Sequence, residues 1–294
     1  MIDRRALLLS FAGSMMAPRV VRADQPSSSL PRSQKFLIGS EVPGQFSHSV
    51  TAHFFTAYAG HSFEKLAVVM PGRNGHTQAP HMTPIIDALL AQGFSVISVD
   101  PHHSEKPAEK SKTHDFTMTA HIDDLRRALM WVFANKTQIG WRGETLFLSG
   151  HSMGGYAALS LAATEFKGRI RHVLAVNPVI RGQNQIDRFT NPEHLKNYLA
   201  EVPSALRDYP RHDMYHHVGS LDVPVSIVTA EQDTVTPPQP LRQFFKALPV
   251  PSDLSILPGE GHCMISPAYR EALTKAIKVS PGYYPVYASH LDYK

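Results

Sequence analysis

With 294 residues, 43% of them hydrophobic and 18% charged, the chain can bury one sizeable core as a single main domain. Its 29 basic residues outnumber its 25 acidic ones, but residues 1–23 hold Arg4, Arg5, Arg19 and Arg22 against Asp3, which leaves 25 basic and 24 acidic residues beyond them. A net charge near zero over that remainder excludes a polyanionic partner such as nucleic acid.

Asp3-Arg4-Arg5 precedes an apolar stretch from Ala6 to Ala17 that is too short to span a bilayer as a helix. Residues 1–23 therefore read as a signal peptide, with Val21-Arg22-Ala23 as the cleavage motif. Asp-Arg-Arg-Ala-Leu-Leu-Leu also resembles a twin-arginine signal, so the expected destination is periplasmic or secreted. No later segment reads as a membrane span. Residues 24–34 are polar and Pro/Ser-rich, as a flexible linker would be, and order is expected from about Phe36.

Thr51 to Tyr58 is rich in β-formers, and Leu66-Ala67-Val68-Val69-Met70 is an apolar run closed by Pro71-Gly72, typical of a buried strand. Pro84 to Gln92 reads as a helix stopped by Gly93, Phe94 to Val99 as a strand, Thr119 to Phe133 as a helix and Thr145 to Leu148 as a strand. The alternation continues with helix Tyr156 to Ala163, strands Val173 to Val176 and Val225 to Thr229, helix Gln239 to Leu248, strand Leu254 to Leu257 and helix Pro267 to Ile277. It predicts a mostly parallel sheet with helices on both faces, over residues 35–280. Residues 178–222 interrupt it and read as a short helical cap. There Asn191-Pro192 can start a helix with Leu195, Tyr198, Leu199 and Val202 on one face, covering an acyl pocket or simply packing on the domain. Residues 281–294 form a tyrosine-rich tail.

The most specific signal is Gly150-His151-Ser152-Met153-Gly154, placed between a strand and a helix. On so sharp a turn the nucleophile is strained, and the glycines leave room where β-carbons would meet the neighbouring strand and helix. The helix that follows offers its positive end, and the Met153 amide can donate to a developing oxyanion. A serine hydroxyl needs a base, and the base needs an acid to fix its tautomer. His262, in the glycine-rich loop after the last strand, is the expected base. Asp233, in the turn leaving Val225 to Thr229, is the expected acid, with Glu231 and Asp187 as competitors. The loop Pro71-Gly72-Arg73-Asn74-Gly75 is expected to give a second oxyanion donor, the amide of Arg73 or Asn74.

With these motifs, residues of about 50 to 280 resemble the α/β-hydrolase fold, similar to esterases and to monoacylglycerol-lipase-like or serine-aminopeptidase-like members. The order Ser152, Asp233, His262 matches that family. Met70-Pro71-Gly72 departs from it where many relatives carry His-Gly. The resemblance implies two-step acyl transfer with no metal or organic cofactor, on a small-molecule or lipid-like ester. An amide, peptide, thioester or polyester is the alternative, and a non-catalytic binding module the third reading. Dehalogenase chemistry would need an aspartate at position 152. Acyl length and oligomeric state are not encoded in these motifs.

Seventeen histidines invite a metal reading. His102-His103 and the group His212, His216 and His217 lack the spacing of a zinc protease or finger, so no metal is expected. His76, His102 and His103 sit near strand ends and are candidates for substrate contact, with Leu195 and Tyr198 of the cap. Cys263, the single cysteine, is expected to be a small buried hydrophobe and can form no intramolecular disulfide.

Overall fold

The computed structural model describes residues 34–38, 49–56, 61–103 and 115–282. The expected signal peptide, the linker up to residue 33 and the tail from residue 283 lie outside the described residues.

Eight strands form one sheet: β1 (Gln34–Ile38), β2 (Val50–Phe55), β3 (Leu66–Met70), β4 (Ser95–Asp100), β5 (Leu146–His151), β6 (Ile170–Val176), β7 (Val225–Ala230) and β8 (Asp253–Leu257). Their order is β1-β2-β4-β3-β5-β6-β7-β8. β2 runs antiparallel to β1 and to β4, and every other neighbouring pair is parallel. The molecule thus has the α/β-hydrolase fold expected from the alternation of elements.

The strands β3, β4, β5 and β7 are buried along their whole length because helices cover both faces. All five residues of β3 and all six of β5 are buried. The helices are α1 (Thr83–Ala91), α2 (Met118–Ala134), α3 (Lys136–Ile139), α4 (Met153–Ala163), α5 (Asn184–Asp187), α6 (Pro192–Glu201), α7 (Ala205–Asp208), α8 (Pro238–Ala247) and α9 (Pro267–Gly282). α1 and α9 pack over one face through Ile85, Leu89, Tyr269 and Leu273. α2, α4, α8 and the insertion cover the other through Leu125, Tyr156, Phe244 and Val202.

Two expected boundaries move. Gln34, assigned to the linker, already belongs to β1 and pairs with Phe54 of β2; an edge strand pairs on one side only and leaves its other N–H and C=O groups to water, so it can begin in a polar segment. The helix α9 runs on through Gly282, past the expected start of the tail at residue 281.

The insertion between β6 and β7 is helical, as expected. Asn191 caps α6, its side chain accepting from the Glu193 amide at 2.8 Å, with Pro192 in the first turn. Tyr198 and Val202 are buried, while Leu195 and Leu199 pack against the main core. Asp208 ties the insertion to α2 by accepting from the Met118 amide at 2.6 Å and the Thr119 hydroxyl at 2.7 Å. This places α6 beside the loop that follows β3, at the carboxyl edge of the sheet.

Candidate active site

Ser152 stands between β5 and α4 with φ 56° and ψ −119°, a conformation that side chains other than glycine rarely adopt. The turn holds because its neighbours leave no alternative. A Cβ on Gly150 would lie 2.2 Å from the Gly154 carbonyl oxygen, and one on Gly154 would lie 2.2 Å from that of Met70. The Ser152 amide donates to the Val176 carbonyl at 2.9 Å, anchoring the elbow to β6.

Asp233 and His262 arrive from the loops after β7 and β8. The His262 Nδ1 lies 2.7 Å from Asp233 Oδ2, which fixes Nδ1 as the protonated nitrogen and leaves Nε2 with its lone pair. Burial alone would raise the Asp233 pKa, but hydrogen bonds from His262 and from the Thr236 amide and hydroxyl hold it below the usual carboxylate range. Those Thr236 bonds are 2.8 Å each, and the Val235 amide donates at the same distance. Of the competing acids, Glu231 is exposed, and Asp187 is exposed and bonded to Gln183 within the insertion at 2.7 Å.

Two residues that the sequence reading passed over hold the His262 backbone. The Asn177 side-chain amide donates to its carbonyl at 2.7 Å, and Asn177 Oδ1 accepts from the Ala230 amide at 2.8 Å, so this residue joins the ends of β6 and β7 to the histidine loop. His151 Nε2 reaches the same carbonyl at 2.9 Å, and its ring centre lies 4.8 Å from that of His262. Through His151, which directly precedes Ser152, the structure brings the nucleophile turn and the His262 loop together. Among the described residues no hydrogen bond joins the Ser152 hydroxyl to the His262 ring, and free enzymes often form that bond only with substrate in place.

The loop after β3 lies directly on the nucleophile. A Cβ on Gly72 would fall 2.8 Å from Ser152 Cβ. Buried His121, on α2, donates from Nε2 to the Pro71 carbonyl at 2.9 Å, and Asp100 accepts from the Thr77 amide and hydroxyl at 2.7 Å each. Burial pushes His121 down to about 4, so it acts as a neutral donor. The Arg73 side chain bonds Glu201 of α6 at 2.5 Å and lies over the Tyr198 ring at 5.3 Å. The Asn74 side chain also reaches Glu201, at 3.4 Å. With these side chains directed at α6, the backbone amides of Arg73, Asn74 and Met153 have no protein acceptor among the described residues.

The remaining candidates are spread around this edge. His76 is half-buried in the loop that ends at His81. His102 and His103 stand edge to face at 4.8 Å, the His102 amide donating to Asp124 at 2.8 Å and the His103 ring meeting Phe116, which places both toward α2. Tyr198 is buried and donates to the Tyr209 hydroxyl at 3.1 Å, while Leu195 is half-buried against the main core. His212 faces Asp208 at 3.4 Å. Cys263 corrects the sequence reading: it is exposed, because the turn after His262 lies outside the packed layers.

The sequence matches the model of the prolyl oligopeptidase family over residues 82–278. No curated protein matches the chain. Among solved structures it is similar to Est1E from Butyrivibrio proteoclasticus, at 18% identity and a TM-score of 0.64, over 80% of this chain and 95% of that one. It is also similar to the esterase Pf2001 of Pyrococcus furiosus, at 16% identity and a TM-score of 0.61, over 87% of this chain and 91% of that one. The Pyrococcus horikoshii acylaminoacyl peptidase matches at 12% identity and a TM-score of 0.64, over 86% of this chain and 41% of that one. At these identities the likeness is one of fold.

Proposed function

The chain belongs to the prolyl oligopeptidase family of serine α/β-hydrolases, and from that premise we propose that it is an exported hydrolase that cleaves a carboxylic ester through Ser152, His262 and Asp233. The observation that carries this reading is the convergence of three loops: the strained Ser152 elbow, the 2.7 Å Asp233–His262 pair, and a loop packed on the nucleophile whose Arg73 and Asn74 amides have no protein acceptor among the described residues. The chain is of the size of the Pf2001 esterase, which it covers to 91%, while it covers 41% of the acylaminoacyl peptidase, and this difference in extent is what favours an ester over a peptide in this reading.

In this mechanism Ser152 Oγ attacks the carbonyl carbon while its proton passes to His262 Nε2. The oxyanion takes hydrogen bonds from the Met153 amide and from that of Arg73 or Asn74, each worth about 3 kcal/mol in the transition state. Collapse expels the alcohol, which takes the proton from His262. Water then attacks the acyl-serine, gives a proton to His262, and leaves as part of the acid when Ser152 recovers that proton. Asp233 stays ionised throughout and holds the imidazolium.

The test is hydrolysis of p-nitrophenyl esters from acetyl to palmitoyl, beside Ser152→Ala and a chelator-treated sample. We expect activity that survives chelation and falls by roughly a thousandfold or more in Ser152→Ala. Activity retained in that variant sinks the nucleophile assignment. A folded enzyme inert on esters but active on amides would move the substrate class to peptides. Export is tested by N-terminal sequencing of the mature protein from the producing cells, expected to begin at Asp24; recovery of intact residues 1–23 overturns it.

A further inference from the structure

Beside the triad, and unused by the mechanism above, stand His81, on the turn before α1, His151 and Cys263. Each offers a ligand atom within 4.8 Å of the other two. The His81 and His151 rings are 4.4 Å apart centre to centre. His151 is arranged as a metal-binding histidine usually is. A carbonyl can only accept, so Nε2 must carry the proton it donates to His262, and Nδ1 is left with a lone pair. That Nδ1 is buried and has no hydrogen-bond partner among the described residues. Leaving a buried polar atom unmet costs stability, and nothing in the acyl-transfer reading calls for it.

We propose that His81, His151 and Cys263 form a binding site for a borderline-soft divalent cation, zinc by preference, and that filling it switches the hydrolase off. Two imidazole nitrogens and one sulfur are the ligand set that zinc favours over magnesium or calcium. A tetrahedral zinc holds such atoms roughly 3.5 Å apart, so the set must close by about an ångström. The exposed Cys263 side chain has the freedom to supply that movement. The thiol proton leaves to solvent as the sulfur binds, so affinity falls with falling pH.

The inhibitory half of the proposal rests on the hydrolase reading. Cys263 directly follows His262 and His151 directly precedes Ser152, so an ion shared by them holds both catalytic loops. The His151 ring centre lies 4.8 Å from that of His262 and 4.4 Å from that of His81. A dication among them therefore opposes the imidazolium that His262 must become during acyl transfer.

The experiment titrates the chelator-stripped protein with cobalt(II), read by near-ultraviolet thiolate-to-cobalt absorption, and then displaces the cobalt with zinc. We expect one cobalt per chain, bound equally by Ser152→Ala, and no such absorption in Cys263→Ser. His81→Ala should weaken binding at least tenfold, and serves as the second probe should the cysteine variant fold poorly. Saturating zinc should lower ester hydrolysis at least tenfold, reversibly with chelator, while Cys263→Ser keeps its activity. Absence of the thiolate absorption in the wild type overturns the site. Absorption without inhibition overturns the switch and leaves the site standing. A protein that binds cobalt as expected but hydrolyses nothing overturns the hydrolase reading instead.

Discussion

A Cβ built on Gly72 meets Ser152 Cβ at 2.8 Å and the His151 carbonyl oxygen at 3.3 Å, and neither neighbour is a flexible side-chain end that can swing away. Gly72→Ala must therefore displace the nucleophile, the oxyanion loop, or both. Because an error of about 1 Å in a reacting group can cost a hundredfold in rate, we expect kcat to fall between roughly tenfold and a hundredfold. Overpacking at one methyl costs about 1 to 3 kcal/mol, so the variant should remain folded. Steady-state kinetics beside thermal unfolding checks this, and unchanged kcat would mean that the loop is slack. Gly72 was legible because a glycine at that strand end has an obvious use. Asn177 was not, since its function lies in two contacts, to Ala230 and His262, that are 53 and 85 residues away along the chain. Its one local signal is its place in an Asn-Pro pair at the end of a buried strand. His121 was hidden in the same way, reading as one more helical position although it holds Pro71 from 50 residues away.

At the scale of elements, the join between the insertion and α2 is centred on one carboxylate, with His212 beside it at 3.1 Å from the Thr119 hydroxyl. Asp208 is 5% exposed and accepts from the Met118 amide and the Thr119 hydroxyl, at the end of α2 where the helix dipole favours negative charge. Asp208→Ala leaves the Met118 amide without its acceptor and the Thr119 hydroxyl with His212 alone, at 3.1 Å, and we expect a loss of about 2 kcal/mol. Asp208→Asn keeps one accepting oxygen and should lose about half as much. Denaturant unfolding of both variants measures this, and an unaltered midpoint for Asp208→Ala would show that the insertion is held by its apolar packing alone. The strands and helices themselves were legible because strands buried on both faces read as short apolar runs, as in Leu66 to Met70, and half-buried helices keep a period of 3.6. β1 escaped because it is an edge strand with exposed residues at Gln34, Lys35 and Leu37, so it carries no burial pattern to read. The insertion's position was visible as a break in rhythm, but its link to the oxyanion loop through Arg73 and Glu201 joins residues 128 apart and leaves no trace in either local segment.

Over the whole molecule, buried neutral histidines set a limit on the acid side. His121 and His172 are almost wholly buried, at 2% and 1% exposure. Burial pushes them down from the ordinary 6.5 to about 4 and about 3. Both have partners that a neutral ring satisfies: Pro71 for His121, and the Ser226 hydroxyl at 3.0 Å for His172, which also stacks on Phe147. The sign follows from which state takes up protons first. Above pH 6.5 both rings are neutral folded or unfolded, and stability is indifferent to them. As pH falls below 6.5 the unfolded chain protonates them while the folded chain does not, so each removes about 1.4 kcal/mol per pH unit until its folded value is reached. Together they should cost several kcal/mol between pH 6.5 and 4, a large share of the margin of an ordinary domain. Urea unfolding at pH 7, 6 and 5 should show a falling midpoint. His121→Gln, which can still donate to Pro71 but cannot titrate, should flatten that fall by about 1.4 kcal/mol per unit. A slope unchanged in this variant would mean that the His121 ring is already charged in the folded protein. In that case it would hold the oxyanion loop as a cation, and activity as well as stability would follow its titration.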